Sequence, residues 1–147
     1  KHNAEYRNCL AVGNVADGFD HNSNRGSVTL YNCTAYDNGK NLNFSNTNPL
    51  EKLTIKNTAV LGSVGSINAT EKYIAHNSWM DGIEISAEDF QGLQMEQLTA
   101  PRNADGSLPD ITFMHLVSSS DLIDKGVDVG LPYNGSAPDL GAFEFVE

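Results

Sequence analysis

Apolar and polar residues alternate in short runs through the first half of the chain, and the pattern repeats about every two dozen residues. One series places an asparagine between an apolar run and small or apolar residues, at positions Asn8, Asn32 and Asn57. A second series returns an apolar residue at Phe19, Phe44 and Ile67. Fixed internal periods of this length are typical of solenoid proteins, in which each repeat stacks on the next.

Each repeat consists of short runs rich in Val, Thr, Tyr, Phe and Ile, separated by turn signals such as Asn38-Gly39. No repeat contains a long stretch of helical periodicity, which disfavours leucine-rich, ankyrin and tetratricopeptide repeats. At about 3.3 Å per strand residue, two dozen residues fit three short strands and three turns. The pattern therefore predicts an all-β fold, with the coils of a parallel β-helix over residues 1–80.

Equivalent positions of successive coils lie one strand spacing apart, roughly 4.8 Å, so like residues should stack into ladders. Two interior ladders are expected, one of Phe19, Phe44 and Ile67 and the other of Ala11, Ala35 and Val60. Turn positions are assigned to asparagines, namely Asn8, Asn32 and Asn57 in one series and Asn14 and Asn38 in another. A side-chain amide there can bind backbone groups of the neighbouring coils, so the asparagine enrichment is interpreted as structural.

The repeat fades after residue 80, and residues 81–147 are expected to form a C-terminal capping region of the same domain. Ser86 precedes two acidic residues, as an N-cap does at the start of a helix, and this short helix should end before Pro101. Asp121, Asp124 and Asp128 could form a calcium site, but their spacing matches no calcium-binding loop. A solvated acidic cap is therefore the favoured interpretation of these three residues.

The formal net charge of -10 is unevenly distributed along the chain. Residues 1–80 contain seven Lys or Arg and six Asp or Glu, whereas residues 81–147 contain two basic and thirteen acidic residues. Nucleic acid is not expected as a partner, because no basic stripe is present to displace phosphate counterions. The nearly neutral repeat half could still bind an acidic ligand.

Cys9 and Cys33 are one repeat apart and should lie at the same position of neighbouring coils. Parallel strands in register rarely offer the dihedral angle of a disulfide, so we favour two reduced, buried, stacked thiols over a bridge. The chain shows no signal peptide and no apolar run long enough to span a membrane. Because it begins almost inside a repeat, we expect it to be the C-terminal part of a longer protein.

Polar side chains are expected on the outer face of one strand and in the turn that follows it. Since side chains alternate along a strand, an inward Phe19 makes Asp20 and Asn22 point outward and His21 inward. Asn24 and Arg25 follow at the turn, and Ser45 should lie beside Asp20 on the next coil. Such a row supplies hydrogen bonds for a sugar polymer and a cation for a uronate carboxylate, although any solvated sheet can show the same residues.

Two segments carry a resemblance to a known family. The first runs from Asn8-Cys9-Leu10-Ala11 through Ala16-Asp17-Gly18-Phe19-Asp20-His21-Asn22 to Asn24, and the second is Val28-Thr29-Leu30-Tyr31-Asn32-Cys33-Thr34-Ala35-Tyr36-Asp37-Asn38-Gly39. They resemble the late coils of polysaccharide lyase family 9, which contains pectate lyases and rhamnogalacturonan lyases. The resemblance implies a right-handed parallel β-helix and a secreted, periplasmic or cell-surface bacterial enzyme. The ending Pro138-Asp139-Leu140-Gly141-Ala142-Phe143-Glu144 is similar to the C-terminus of many secreted bacterial β-helix proteins.

The resemblance also implies a chemistry whose central residues this chain lacks. Family members remove the proton next to a uronate carboxylate with a lysine base, and a calcium ion held by aspartates neutralises that carboxylate. Neither the Asp-Asp-Gly-x-Asp calcium motif nor the Gly-Phe-Lys base motif occurs here. Both are expected upstream of this chain, which should be inactive alone, so Asp20, Asn22, Asn24 and Arg25 are candidates for substrate contact and not for catalysis.

The main hypothesis is therefore the C-terminal part of a pectin-degrading lyase, monomeric together with its missing N-terminal coils and dependent on calcium. A first alternative is a β-helical adhesion module that binds glycans without cleaving them. A second is a β-helical glycoside hydrolase, but the paired carboxylates that this reaction needs are not visible on one face.

Overall fold

The computed structural model describes residues 1–147 and contains ten strands. They are β1 (Asn3–Arg7), β2 (Leu10–Val12), β3 (Asp17–Asp20), β4 (Ser27–Tyr31), β5 (Thr34–Tyr36), β6 (Lys40–Phe44), β7 (Leu50–Lys56), β8 (Ala59–Leu61), β9 (Gly65–Ile67) and β10 (Ala69–Ala75). Every strand pair is parallel. No helix has the length and apolar character needed to cross a bilayer.

The strands form three sheets, each containing one strand per coil. Sheet A has the order β1-β4-β7-β10, sheet B the order β2-β5-β8, and sheet C the order β3-β6-β9. Each coil thus passes through sheets A, B and C in turn before the next coil begins. This arrangement is a parallel β-helix, and it confirms the fold predicted from the repeat.

The interior of the coils is a continuous apolar core. Eleven buried residues pack there, and alternate positions of the strands supply them because successive side chains point to opposite faces of a sheet. The predicted ladder of Ala11, Ala35 and Val60 is confirmed by the pairing of β2, β5 and β8.

The second predicted ladder is displaced by two residues. Phe44 does pair with Ile67, but Phe19 lies opposite Leu42 and not opposite Phe44. Phe44 packs instead against the ring of His21, with centroids 6.3 Å apart. A shift of two residues keeps every side chain on its predicted face, so the apolar pattern alone could not distinguish the two registers.

The predicted asparagine turns join sheets A and B. Asn8, Asn32 and Asn57 all have positive φ angles, between 49° and 56°, a region that asparagine tolerates better than most residues. Asn57 donates its side-chain amide to Asn32 Oδ1 at 3.0 Å. In the other series, Asn14 donates to Asn38 Oδ1 at 2.7 Å. Both series thus tie one coil to the next, as predicted.

The C-terminal half differs from the expected cap in where it packs. Strands β2, β5 and β8 carry apolar side chains on their outer face as well, and residues from 83 to 145 cover that face. Phe113, Met114, Leu116, Leu122 and Leu140 are almost fully buried in this second core. Residues 81–147 therefore form a layer on the side of sheet B, because an apolar outer face has to be covered to remove it from water.

The predicted N-cap is confirmed, but the predicted helix is interrupted. Ser86 caps a single 3-10 turn, Ala87–Asp89, and the Asp89 carboxylate accepts a hydrogen bond from the backbone N–H of Ser86. A second 3-10 segment spans Met95–Thr99. Between the two, the backbone makes β-bridges from Phe90 and Gly92, and this extended pairing replaces a continuous helix.

Both cysteines are free thiols, as the stacking argument predicted. Cys33 is fully buried, whereas Cys9 is half-buried. Burial raises the pKa of the Cys33 thiol to about 12.

Candidate functional site

The outer face of sheet C carries a row of polar side chains along the coil axis. Asp20 lies opposite Asn43, and Asn43 lies opposite Ser66. Phe19 and Leu42, the preceding residues of the same strands, are buried in the core. Alternation therefore directs the row outward, where neighbouring polar groups stand one strand spacing apart, roughly 4.8 Å.

Local hydrogen bonds hold the Asp20 carboxylate in place. The backbone N–H of Asn22 donates to Asp20 Oδ1 at 2.9 Å, and the same oxygen lies 3.4 Å from His21 Nδ1. The His21 ring is buried, with its two nitrogens 3.3 Å from the carbonyl oxygens of Asn43 and Thr47. Asp20 therefore presents a partly exposed carboxylate on a rigid turn, and His21 points inward as predicted.

The centre of the row contains an unpaired polar atom. Asn43 donates its amide to Asp17 Oδ2 at 2.9 Å, which links β6 to β3. The opposite end of that side chain, Oδ1, is buried and has no hydrogen-bond partner in the structure. Lys40 is the backbone register partner of Asp17 and makes no salt bridge with it. The row therefore combines carboxylates and an amide within two neighbouring strands.

The four residues predicted to contact substrate occupy different environments. Asp20, Asn22 and Arg25 are exposed, and Arg25 makes no salt bridge within the chain. Asn24 is only 7% exposed. Its Oδ1 accepts the backbone N–H groups of His2 and Gly26, and its amide donates to the His2 carbonyl. Asn24 therefore acts within the turn and is not part of the exposed surface.

The register correction changes which residue lies beside Asp20. Asn43, and not Ser45, is its neighbour on the next coil. Asp17 and Ser66 were also not selected from the sequence. Ser66 follows from alternation once the register is known, whereas Asp17, two residues from the inward Phe19, is brought to the row only by its hydrogen bond from Asn43. The missing information was the length of the turn between β5 and β6, which sets the register of that coil.

The residues of this chain do not fit a calcium site. No group of three His, Cys, Asp or Glu side chains lies close enough to hold a metal ion. Of the three acids considered above, Asp124 accepts the backbone N–H groups of Ser136 and Ala137, and Asp128 accepts that of Gly130. These carboxylates organise loops of the C-terminal layer.

Comparison with known proteins finds relatives of one kind. The chain is 41% identical to pectate lyase L of Dickeya dadantii over 137 residues, which is 92% of this chain and 32% of that protein. It is 33% identical to pectate lyase L of Paenibacillus polymyxa over 132 residues, or 84% of this chain and 28% of that protein. The chain thus spans about a third of the length of these relatives. No protein-family model matches it.

Two solved structures share the fold. The crystal structure of pectate lyase Pel9A superposes with a TM-score of 0.87 at 37% identity, covering 97% of this chain and 36% of that one. A rhamnogalacturonan lyase superposes with a TM-score of 0.67 at 28% identity, covering 78% of this chain and 30% of that one. With the coils in register and the polar row on sheet C, these similarities show that the chain belongs to the β-helical family of pectate and rhamnogalacturonan lyases.

Proposed function

We propose that this chain forms part of the sugar-binding cleft of a polysaccharide lyase that cleaves a uronate-containing pectic polymer by β-elimination. The relatives named pectate lyase and rhamnogalacturonan lyase support this reaction and this substrate class. The observation that carries the proposal is the outward row of Asp20, Asn43 and Ser66 on sheet C. Its repeated polar groups suit a polymer that presents hydroxyl groups at regular intervals.

Each exposed residue has a distinct role in this proposal. Asp20, held by the backbone of Asn22, accepts hydrogen bonds from sugar hydroxyls. Arg25 pairs with a uronate carboxylate, since its planar guanidinium can donate two parallel hydrogen bonds. Asn43 does not contact the sugar through its Oδ1, which is buried; its amide instead holds the Asp17 carboxylate beside the row. These residues position the polymer, and none of them is assigned to proton transfer.

The reacting groups are placed outside this chain. Elimination needs a base for the proton next to the carboxylate and a positive charge to stabilise the developing anion. The family resemblance implies a lysine and a calcium ion for these tasks, but the acids here are not grouped to hold a metal ion. We propose that both lie in the further length that the relatives have beyond the part matched by this chain, in a protein that is secreted and monomeric.

A glycan-binding module without activity is the second candidate. It is favoured by the same observation, because a row of polar side chains without a metal-binding cluster can hold a sugar polymer without cleaving it. The two candidates share the surface on sheet C and differ only in whether the bound polymer is cut.

The substitution Arg25→Ala tests the surface that both candidates share. We expect the Kd for polygalacturonate to rise about ten-fold, because a charge-assisted pair is lost, while binding of a neutral polysaccharide stays unchanged. Lys125→Ala, which removes the same charge from the exposed surface of the C-terminal layer, is the matched control. Equal losses for acidic and neutral polymers would show that Arg25 supports the turn and does not bind a carboxylate.

A further inference from the structure

Sheet A carries a row of basic and aromatic side chains that the proposed cleft does not use. Arg7 lies opposite Tyr31, and Tyr31 lies opposite Lys56, so the three form one row across β1, β4 and β7. Their strand neighbours Leu30 and Ile55 are buried in the core, which places the row on the outer face. A cation thus stands on each side of a tyrosine, at steps of roughly 4.8 Å.

A second aromatic residue extends this row at the last coil. Tyr73 lies opposite Thr54, which is two residues from both Lys52 and Lys56 along β7. The Lys52 ammonium stands 5.0 Å from the centre of the Tyr73 ring, and the Tyr73 residue is 50% exposed. We call the set Arg7, Tyr31, Lys52, Lys56 and Tyr73 the sheet A strip.

The strip is positive on balance in a protein that is strongly negative. Three acids lie beside it: Glu5 pairs with the Arg7 guanidinium, Glu71 accepts a hydrogen bond from the Tyr73 hydroxyl, and Glu51 pairs with Lys1. With Lys1 included, four cations therefore face three carboxylates, in a chain with a formal net charge of -10. A shallow crevice of about 470 Å³ borders the strip, and Lys52 and Glu71 are among the residues that line it.

We propose that the sheet A strip is a second binding surface for an acidic polysaccharide, separate from the cleft on sheet C. Charge complementarity favours an anionic polymer, and the alternation of cation and ring favours a sugar over a bare polyanion. A sugar presents an apolar C–H face that can cover an aromatic ring, while its carboxylates pair with the flanking cations. The inference rests on the proposed function only for the polymer's identity, which is the uronate class.

The strip would serve by multivalent attachment. A polymer held on sheet A and in the cleft at once remains near the protein when one contact opens, since rebinding of that contact is then intramolecular. The two sheets belong to the same coils, so a long chain that follows the coil surface can reach both.

Binding of polygalacturonate by the full 147-residue chain tests this proposal. The double variant Lys56→Gln/Tyr73→Ala should lower the affinity about ten-fold, because one ion pair and one stacking platform are lost. The control Lys125→Gln makes an exposed charge change outside the strip and should leave the affinity unchanged. Thermal unfolding of each variant, followed by circular dichroism, verifies that the compared proteins are folded.

Two results would overturn the strip and leave the cleft untouched: an equal loss in the Lys125→Gln control, and equally tight binding of single-stranded DNA, which would indicate general attraction of polyanions. Absence of binding by the unsubstituted chain would overturn the strip and the cleft together. Arg25→Ala reports on sheet C in the same assay. If Arg25→Ala weakens binding and Lys56→Gln/Tyr73→Ala does not, the cleft on sheet C is supported and the sheet A strip is wrong. If only the double variant weakens binding, the strip is supported and the cleft is wrong.

Discussion

The side chain of Asn57 binds the backbone of Val127 through both ends of its amide, seventy residues further along the chain. Asn57 Nδ2 donates to the Val127 carbonyl at 2.8 Å, and Asn57 Oδ1 accepts the Val127 N–H at 2.9 Å. The same amide also donates to Asn32 Oδ1 in the preceding coil. One fully buried asparagine therefore links two coils of the solenoid to the C-terminal layer.

Replacing Asn57 should strongly reduce the free energy of unfolding. Asn57→Gly keeps the positive φ angle of 56° free of strain but leaves buried backbone and amide groups unpaired, so we expect a loss of about 3 kcal/mol. Asn57→Ala should cost about 1 kcal/mol more, since alanine adds the strain of a left-handed backbone. Urea unfolding of both variants separates the two effects, and a loss equal to that of an exposed turn asparagine such as Asn48 would contradict this linking role.

Gly141 should be indispensable to the tail that packs on sheet B. Its φ is 109°, and an added Cβ would lie 2.8 Å from Thr34 Oγ1, the atom that accepts the N–H of Ala142. Gly141→Ala should therefore lower stability by about 2 to 4 kcal/mol through backbone strain and a lost bond.

Gly130→Ala is the matched control for that substitution. Gly130 also has a positive φ, of 82°, but no atom lies within 4 Å of the added Cβ. We expect only the strain, about 1 kcal/mol. Equal midpoints of thermal unfolding for the two variants would show that the Thr34 contact does not matter.

The two thiols should differ in reactivity. The thiolate is the reacting form, and burial raises the pKa of Cys33 to about 12, so Cys33 should resist iodoacetamide while the chain is folded. Mass spectrometry should find slow modification of Cys9 alone in native buffer and of both residues in denaturant. If neither thiol is modified in denaturant until a reductant is added, a disulfide is present and the stacked-thiol interpretation is wrong.

The type of fold and most of its repeating contacts could be predicted from the sequence, but the exact pairing of one strand could not. The repeat period, the Ala11-Ala35-Val60 ladder and the asparagine turns were correct because each depends on spacing along the chain and on the type of residue. The partner of Phe19 was not, since coils of unequal length allow Leu42 and Phe44 equally well. Turn conformation makes that choice, and the apolar pattern does not encode it.

The placement of the C-terminal half was harder to predict for a different reason. Leu10, Tyr36 and Leu61 lie on the outer face of sheet B and pack into the second core, so both faces of those strands are apolar. Short strands with apolar residues on both faces are predicted to be buried, but the pattern does not identify the segment that covers each face. In the candidate site, exposure of Asp20 followed from alternation and that of Arg25 from its place in a turn, whereas burial of Asn24 depends on contacts with His2 that no local pattern shows.

The stability of the C-terminal layer should depend on pH through Asp124. Hydrogen bonds from the backbone of Ala137, together with those from Ser136, hold the pKa of Asp124 below its ordinary value of 3.8. A carboxyl group with a lowered folded-state pKa contributes stability that is present above 3.8 and lost as the pH falls through the folded-state pKa. The unfolding midpoint of the unsubstituted chain should therefore exceed that of Asp124→Asn at neutral pH, and the gap should close in acid.

Asp110→Asn supplies the comparison for net charge, since Asp110 is exposed in another loop of the C-terminal half. The unfolding midpoints of the unsubstituted chain and of Asp124→Asn should differ less as the pH falls. If their difference does not change with pH, the effect comes from the shape of the side chain and not from its charge.

The central claim is that this chain belongs to a protein that cuts its sugar polymer by elimination. Elimination leaves a double bond at the new sugar end, which absorbs ultraviolet light, whereas hydrolysis or simple binding leaves none. The direct measurement is the ultraviolet absorbance of polygalacturonate and rhamnogalacturonan incubated with calcium and the complete natural protein that contains this chain. We predict rising absorbance for at least one polymer, with none from the 147-residue chain alone; binding of both polymers with no rise from the complete protein would contradict the account and identify a glycan-binding module.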